Sequence, residues 1–459
     1  MTSKFRSAKI GFRRGFSVAV LLASGAAWLS CATTKKPAVA YGLNSRPPAK
    51  AYLQLPERAD GIFPRRLSET GAFNDTQWLV PNDSLIPYDI IVSFWSDVAA
   101  KSRWVAVPDE KIKFSPTGEW SFPKGTVFVK TFTLATDETH LEIKRRLETR
   151  LLVCDANGGV YGATYKWRAD NRDADLLATN LTELIPIKTA TGTRTQAWYY
   201  PSRPDCLTCH TANAGYVLGV KTRQLNHDFT YPSGVTDNEL RAWNHLGLFD
   251  SNLNEAELNN FPALARSDDP ARSLEDRARS YLDANCANCH RPRGTVAAFD
   301  ARYDTPLAQQ NLIKGRALID ERIDNPRIIA PNDRWRSLLF MRANTVEPFK
   351  MPPLARNTVD EPGMVLLQHW IESLPGPPVL PPPEISPRGG NFSKPVEVIL
   401  KSEPGATIRY TLDGTVPTTS DLLYEKPVRL TGPTILRAKA FKPGFTRSIT
   451  VQEIFLIAG

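Results

Sequence analysis

Between Ala51 and about Tyr200, apolar residues come in short runs separated by turn residues. Trp104-Val105-Ala106-Val107, the run Thr126 to Phe132 and the run Val160 to Trp167 are each bounded by Pro or Gly, which is the spacing of strands. In the second run Val127, Val129 and Thr131 alternate with Phe128, Lys130 and Phe132. Both faces of that strand carry bulk, so both are expected to be covered. An antiparallel β domain, built as a sandwich, is predicted over residues 51–200. Its Trp residues from Trp78 to Trp167 would serve as a ligand platform or, as large aromatics more often do, fill a core.

After Tyr200 the pattern weakens. Thr236-Asp237-Asn238-Glu239 reads as a capping box opening a short helix that Gly247 ends. From about Pro270 the period changes again. Leu274, Ala278, Tyr281 and Leu282 share one helical face that runs into Cys286. Asp360 caps a second helix with Pro362 in its first turn, and Leu367, Ile371 and Leu374 lie on one side of it beside Trp370. These two helices predict an α-helical domain over 265–375. The Pro-rich stretch that follows favours a stiff linker at 376–386. Strands expected at Val396 to Leu400, Thr407 to Thr411, Thr434 to Phe441 and Ile449 to Phe455 make 387–459 a small β-sandwich.

Composition adds an address. The N-terminus carries Lys4, Arg6, Lys9, Arg13 and Arg14, then an apolar run from Phe16 to Leu29 and small residues, so residues 1–32 read as an export signal. Cleavage after Ala32 would release a soluble periplasmic or extracytoplasmic protein. A lipobox-like reading of Trp28-Leu29-Ser30 would instead make Cys31 a lipid anchor, as in an outer-membrane lipoprotein, with residues to Lys50 as a tether. The net charge of +9 is spread along the 459 residues, and no nucleic-acid partner is expected. One local cluster, Lys144, Arg145, Arg146 and Arg150, would dock an acidic redox partner or simply form a solvated strand face. Cys154, inside an apolar run, reads as a buried thiol without chemistry.

The other four cysteines of the mature chain carry the chemistry. Cys206-Leu207-Thr208-Cys209-His210 and Cys286-Ala287-Asn288-Cys289-His290 repeat one pattern, that of covalent haem attachment in c-type cytochromes. Two thiols on one turn can form thioethers with the two vinyl groups of one haem edge, and the adjacent imidazole then points at the iron. A zinc knuckle made from both Cys pairs, or a thioredoxin-like redox pair, does not require the repeated His. Two haem c groups are therefore expected, one on residues 201–260 and one on the helical domain. For the second, Met351 in Phe349-Lys350-Met351-Pro352-Pro353 is the expected sixth iron ligand, favouring electron transfer. For the first, His245 is the leading candidate, with His227 next and His140 and His369 farther in sequence. A bis-His first haem would lie at lower potential and pass electrons to the second; an open position would make it a site for substrate.

Arg146-Leu147-Glu148-Thr149-Arg150-Leu151, Pro201-Ser202-Arg203-Pro204-Asp205, Gln224-Leu225-Asn226 and Asn244-His245-Leu246-Gly247-Leu248-Phe249 resemble a family of bacterial dihaem c-type cytochromes. The resemblance runs from about Ile90 to Leu374. It implies haem attachment at Cys206, Cys209 and His210 and at Cys286, Cys289 and His290, and specifies no reaction. Gly405 to Thr418 is similar to the C-terminal immunoglobulin-like domain of chitobiases and β-hexosaminidases, which implies a spacer or surface-binding role and no glycosidase chemistry. The expected fold class is multidomain α+β: an N-terminal antiparallel β domain, an α-helical class I cytochrome c-like domain, and a C-terminal immunoglobulin-like β-sandwich. The expected function is electron transfer by an exported dihaem cytochrome acting with a redox partner protein. Alternatives are a peroxidase-like dihaem oxidoreductase with an open first haem, and a cell-wall or polysaccharide-binding protein that feeds electrons to a partner enzyme.

Overall fold

The computed structural model describes residues 40–296, 299–321, 323–354 and 356–458. The expected export signal, its cleavage site and Cys31 lie outside these residues. Among the described residues no helix is long and apolar enough to cross a membrane.

After a small ribbon of β1 (Phe73–Asp75) and β2 (Val80–Pro81), the chain builds a six-stranded antiparallel sheet. Its strands are β3 (Leu85–Pro87), β4 (Ala100–Ala106), β5 (Val127–Ala135), β6 (Lys144–Cys154), β7 (Val160–Trp167) and β8 (Ala174–Leu176), neighbours in that order. Both faces are covered. On one, Val127, Val129, Leu151, Val153, Tyr161, Ala163 and Tyr165 pack under the preceding segment through Leu53, Leu55, Leu67 and Phe73. The opposite face has two apolar ends. At one end Val105, Phe128 and Leu152 meet Trp120, Trp243 and Phe249. At the other, Phe132 meets Ile185, Trp198 and Tyr200, which come from the hairpin β9 (Leu181–Thr189) and β10 (Gly192–Tyr200). The tryptophans do not form one platform: Trp120 and Trp167 are core, and Trp78 is exposed.

The expected fold class is corrected. The chain is mostly β, and among the described residues of 265–375 no large helical domain forms. Before that stretch come three short helices, α1 (Arg203–Cys209), α2 (Thr222–Leu225) and α3 (Glu239–His245), with a ribbon of β11 (Asp228–Thr230) and β12 (Thr236–Asn238). Thr236 sits in that ribbon, and Asn238 caps α3. Within 265–375 lie α4 (Leu274–Asn285, 12 residues), α5 (Leu338–Ala343, 6 residues) and α6 (Glu361–Ser373, 13 residues), capped by Ser273 and Asp360 at the first and last. Between α4 and α5 the chain makes turns and isolated bridges such as Ile313 to Ile329. Pro306, Gly315, Pro326 and Pro331 interrupt any apolar stripe of helical period there. Leu312, Ile328 and Ile329 instead reach the core from loops, against Leu282, Leu367 and Trp370.

The expected linker is pinned. Leu380 is fully buried, its N–H donates to Thr446 O at 3.0 Å, and Thr446 N–H donates to Pro378 O at 2.8 Å. The C-terminal strands β13 (Glu384–Ser386), β14 (Gly390–Phe392), β15 (Val396–Lys401), β16 (Thr407–Thr411), β17 (Leu422–Leu423), β18 (Val428–Leu430), β19 (Thr434–Phe441) and β20 (Val451–Ile457) form two sheets, ordered β13-β15-β18 and β14-β20-β19-β16-β17. Val398, Leu400, Ile408, Leu436 and Phe455 fill the space between them.

Candidate functional site

The first turn belongs to α1. Ser202 caps this helix, its hydroxyl and N–H meeting the Asp205 carboxylate while Asp205 N–H returns to Ser202 Oγ. Tyr199 Oη also donates to Asp205, at 2.7 Å. α1 lies on β7, where Gly162 makes the close approach possible: a Cβ there would stand 2.4 Å from Cys206 Sγ. His210 follows the helix, and its Nδ1 donates to Tyr216 O at 2.7 Å. That bond fixes the tautomer, leaving Nε2 unprotonated and able to ligate a metal. Burial pushes the imidazole down to about 4, assisted by the nearby cations Lys130 and Arg150 and opposed by the Tyr216 carbonyl.

The second turn ends α4. Cys286 takes the C-cap, its N–H bonded to Leu282 O, and His290 N–H closes on Cys286 O at 2.8 Å. The His290 ring stacks on Phe299, with centroids 4.2 Å apart and planes 15° from parallel, and Nδ1 lies 3.4 Å from Thr295 Oγ1. Burial, with Arg342 nearby, lowers its pKa to about 4. Burial also pushes the Cys286 thiol up to about 12.

The two turns meet. Cys209 and Cys289 act on each other, which pushes the Cys209 thiol up and draws that of Cys289 down. Around them Asn213 Nδ2 donates to Pro292 O at 3.0 Å and Arg291 donates to Asn213 O at 3.1 Å. A buried charge network backs this contact. Arg291 reaches Glu119 at 2.8 Å, Lys221 lies 3.5 Å from Glu119 and 2.8 Å from Asp283, and Arg223 pairs with Asp283 at 3.1 Å and with Asp304. Lys221 and Arg223 follow the first turn in sequence, Asp283 precedes the second, and the network rivets one to the other.

Met351 lies on the loop beside the second turn. Its N–H donates to Arg342 O at 2.9 Å, and the Arg342 guanidinium is the cation acting on His290. Arg356, which bonds Ala343 O and Thr345 O, acts on Cys286. The buried Asp97 ties this loop to the β-sheet region, accepting from Asn357 N and Thr358 N at 2.8 Å. His245 is placed elsewhere. It is exposed and stacks on Tyr41 with centroids 3.6 Å apart and planes 6° from parallel. His227 has both nitrogens engaged, with Glu239 at 3.3 Å and Asp228 O at 3.0 Å. His140 lies 3.2 Å from Glu142 at the surface; His369 is exposed on α6.

The basic cluster does not share one face. Arg145 pairs with Glu183 at 2.7 Å, Arg146 lies over Trp167 at 4.9 Å, and Arg150 turns inward to Glu148 beneath Cys206 and Cys209. Cys154 is buried at the end of β6, its thiol pushed up to about 12 by burial. The zinc alternative needs convergent ligands, and among the described residues no group of three or more His, Cys, Asp or Glu side chains gathers to hold a metal ion. Sequence reasoning passed over Arg103, Glu148 and Thr164, which lie on the sheet face under the first turn; charged residues at inward positions of apolar strands were their only signal.

Residues 387–452 match the family model of the chitobiase/β-hexosaminidase C-terminal domain. No curated protein and no solved structure matches the chain.

Proposed function

We propose that the chain is an exported dihaem c-type cytochrome that would hold two haems side by side and serve electron transfer with a redox partner protein. The observation that carries this reading is the meeting of the two Cys-x-x-Cys-His turns, tied by Asn213 to Pro292 O and by Arg291 to Asn213 O, which would bring the attachment edges of both haems together. Cys206 and Cys209 would hold one haem through thioethers and Cys286 and Cys289 the other, with His210 and His290 as axial ligands through Nε2. When bound, each haem supplies a one-electron change at its iron. The chain's part is orientation and environment. Tyr216 O sets the tautomer of His210, Phe299 sets the plane of His290, and the network through Asp283 keeps the two turns at one separation. Met351 is the proposed second ligand of the second iron, on a loop fastened to Arg342.

A second reading gains from the partners of His245 and His227, since the first stacks on Tyr41 and the second lies 3.3 Å from Glu239. An exchangeable position on the first iron would make the chain a dihaem oxidoreductase. One experiment addresses both. Full-length chain produced with haem-attachment machinery should carry two haems, and the Cys206→Ala/Cys209→Ala and Cys286→Ala/Cys289→Ala pairs should each carry one. A chain without haem that oxidises to a Cys209–Cys289 disulfide would overturn both readings. With two haems present, a low-spin ferric spectrum indifferent to cyanide assigns a carrier, and a cyanide-sensitive high-spin component on the first haem assigns an oxidoreductase.

A further inference from the structure

The sheet face beneath the first turn is built for a ligand that its own side chains do not provide. In the antiparallel register Arg103 on β4 lies directly opposite Lys130 on β5, and Lys130 directly opposite Arg150 on β6. Thr164 on β7 continues the row. Like charges facing each other across strands are destabilising, and carboxylates answer only two of the three. Arg103 pairs with Asp89 and Arg150 with Glu148. Lys130 makes no ion pair or hydrogen bond among the described residues, and Lys101 in the next row donates to Phe94 O at 2.9 Å and lies over the Phe132 ring.

Buried polar atoms without partners collect at the same place. Thr164 Oγ1, Arg103 Nε and Arg150 Nε are all buried without a hydrogen bond, and Thr164 and Arg103 are 2% and 6% exposed. Such orphans are costly, and native folds seldom gather them on one patch. The apolar clusters around Phe128 and around Phe132 and Trp198 lie at the two ends of the row, with the cations between them. The row lies by the first turn, since Arg150 acts on Cys206 and Cys209, and Lys130 and Arg150 act on His210.

We propose that this row is an anion seat, taking a carboxylate or small oxyanion on Lys130 between Arg103 and Arg150. The seat stands on the geometry of the sheet. Its two sources are the propionate carboxylates of a haem held by Cys206 and Cys209, which rests on the function proposed above, and a free oxyanion from solution. Burial and the neighbouring Arg103, Lys101 and Arg150 hold Lys130 well below the usual lysine range, and an anion restores its charge. A cation there favours the reduced iron, so the seat also raises the potential of the first haem relative to an uncharged wall.

The test compares wild type with Lys130→Gln, both as full-length chains, by redox titration and by calorimetry with inorganic phosphate. With propionates as occupant, Lys130→Gln lowers the first haem's potential by about tenfold in its one-electron equilibrium, ~59 mV, leaves the second haem unchanged, and phosphate binds neither holo chain. With a free oxyanion as occupant, phosphate binds wild type and its affinity falls at least tenfold in Lys130→Gln. If the chain carries no haem, the functional reading fails and the phosphate titration alone decides the seat. Equal potentials together with equal or absent phosphate binding would overturn it. Matching melting temperatures and a Lys130→Arg variant that restores the lost effect separate the anion role from a packing defect.

Discussion

The turn at Cys206 rests on a sheet, whereas the turn at Cys286 ends a helix and is otherwise enclosed by loops. On the sheet side the floor is ordered by strand register, and its row of Arg103, Lys130 and Arg150 cannot shift without moving three strands. On the loop side the nearby cations serve the backbone. Arg342 Nε bonds Phe349 O at 2.7 Å, and Arg356 bonds Ala343 O and Thr345 O, so they staple the loop that carries Met351. The same five-residue chemistry thus has a charged, stiff seat at one site and a largely apolar, sewn-together enclosure at the other. The difference teaches that the motif decides only what can be attached, while the element under it decides the electrostatics.

The largest expected effect comes from cutting what joins the two regions. Asp283 is 3% exposed and holds Lys221, Arg223 and Tyr303 N–H. Asp283→Ala leaves two buried cations short of a partner, a loss of about 3–5 kcal/mol. Chemical denaturation should record it, and in haem-free chain the oxidant-driven Cys209–Cys289 crosslink should slow. A loss under about 1 kcal/mol with crosslinking unchanged would show that the turns are joined by something else.

Next come two glycines that separate the regions. Gly162→Ala puts a methyl 2.4 Å from Cys206 Sγ, and Gly294→Ala puts one 2.0 Å from Cys289 O. Each should cost about 1–3 kcal/mol through overpacking. The first should reduce haem attachment only at the sheet-side turn and the second only at the loop-side turn, as peptide mapping of haem-bearing fragments can show. Loss at both turns from either substitution would mean that the two sites fold as one. Met351→Ala should act on the loop side alone, lowering the second haem's potential and removing any thioether-to-iron absorption, with stability changed by less than about 1 kcal/mol. An unaltered spectrum would remove Met351 as ligand.

Much of this contrast could be read from residue order, and the unreadable part has a physical cause. Alternation of Phe128, Lys130 and Phe132 against Val127, Val129 and Thr131 already implied a strand covered on both faces. Asp360 ahead of Pro362 already implied a capped helix. Local chemistry carries such signals. The size of the helical region was overdrawn because two amphipathic helices say nothing about how the chain between them fills a core, and Leu312, Ile328 and Ile329 do so from loops. The cationic row was unreadable for a related reason. Arg103, Lys130 and Arg150 are far apart in sequence and become neighbours only through strand register, which no local pattern states. Proximity in sequence was likewise the ground for the choice of His245 for the first iron.

That choice yields the smallest expected effect and the finest division between the regions. A histidine in the last turn of a short helix can ligate, or simply sit at the helix end, and its neighbours decide which. Tyr41 covers the His245 ring almost face to face, and Arg241 lies over the other ring at 4.1 Å from its centroid, giving a surface stack that is complete without a metal. His245→Ala should therefore cost about 0.5–1.5 kcal/mol, the scale of one aromatic pair, and leave the ferric spectrum of both haems as it was. A switch of the first haem to high spin would return His245 to the iron and require residues 41–46 to detach from α3 on haem loading. Limited proteolysis of the haem-loaded chain near Tyr41 would detect that movement.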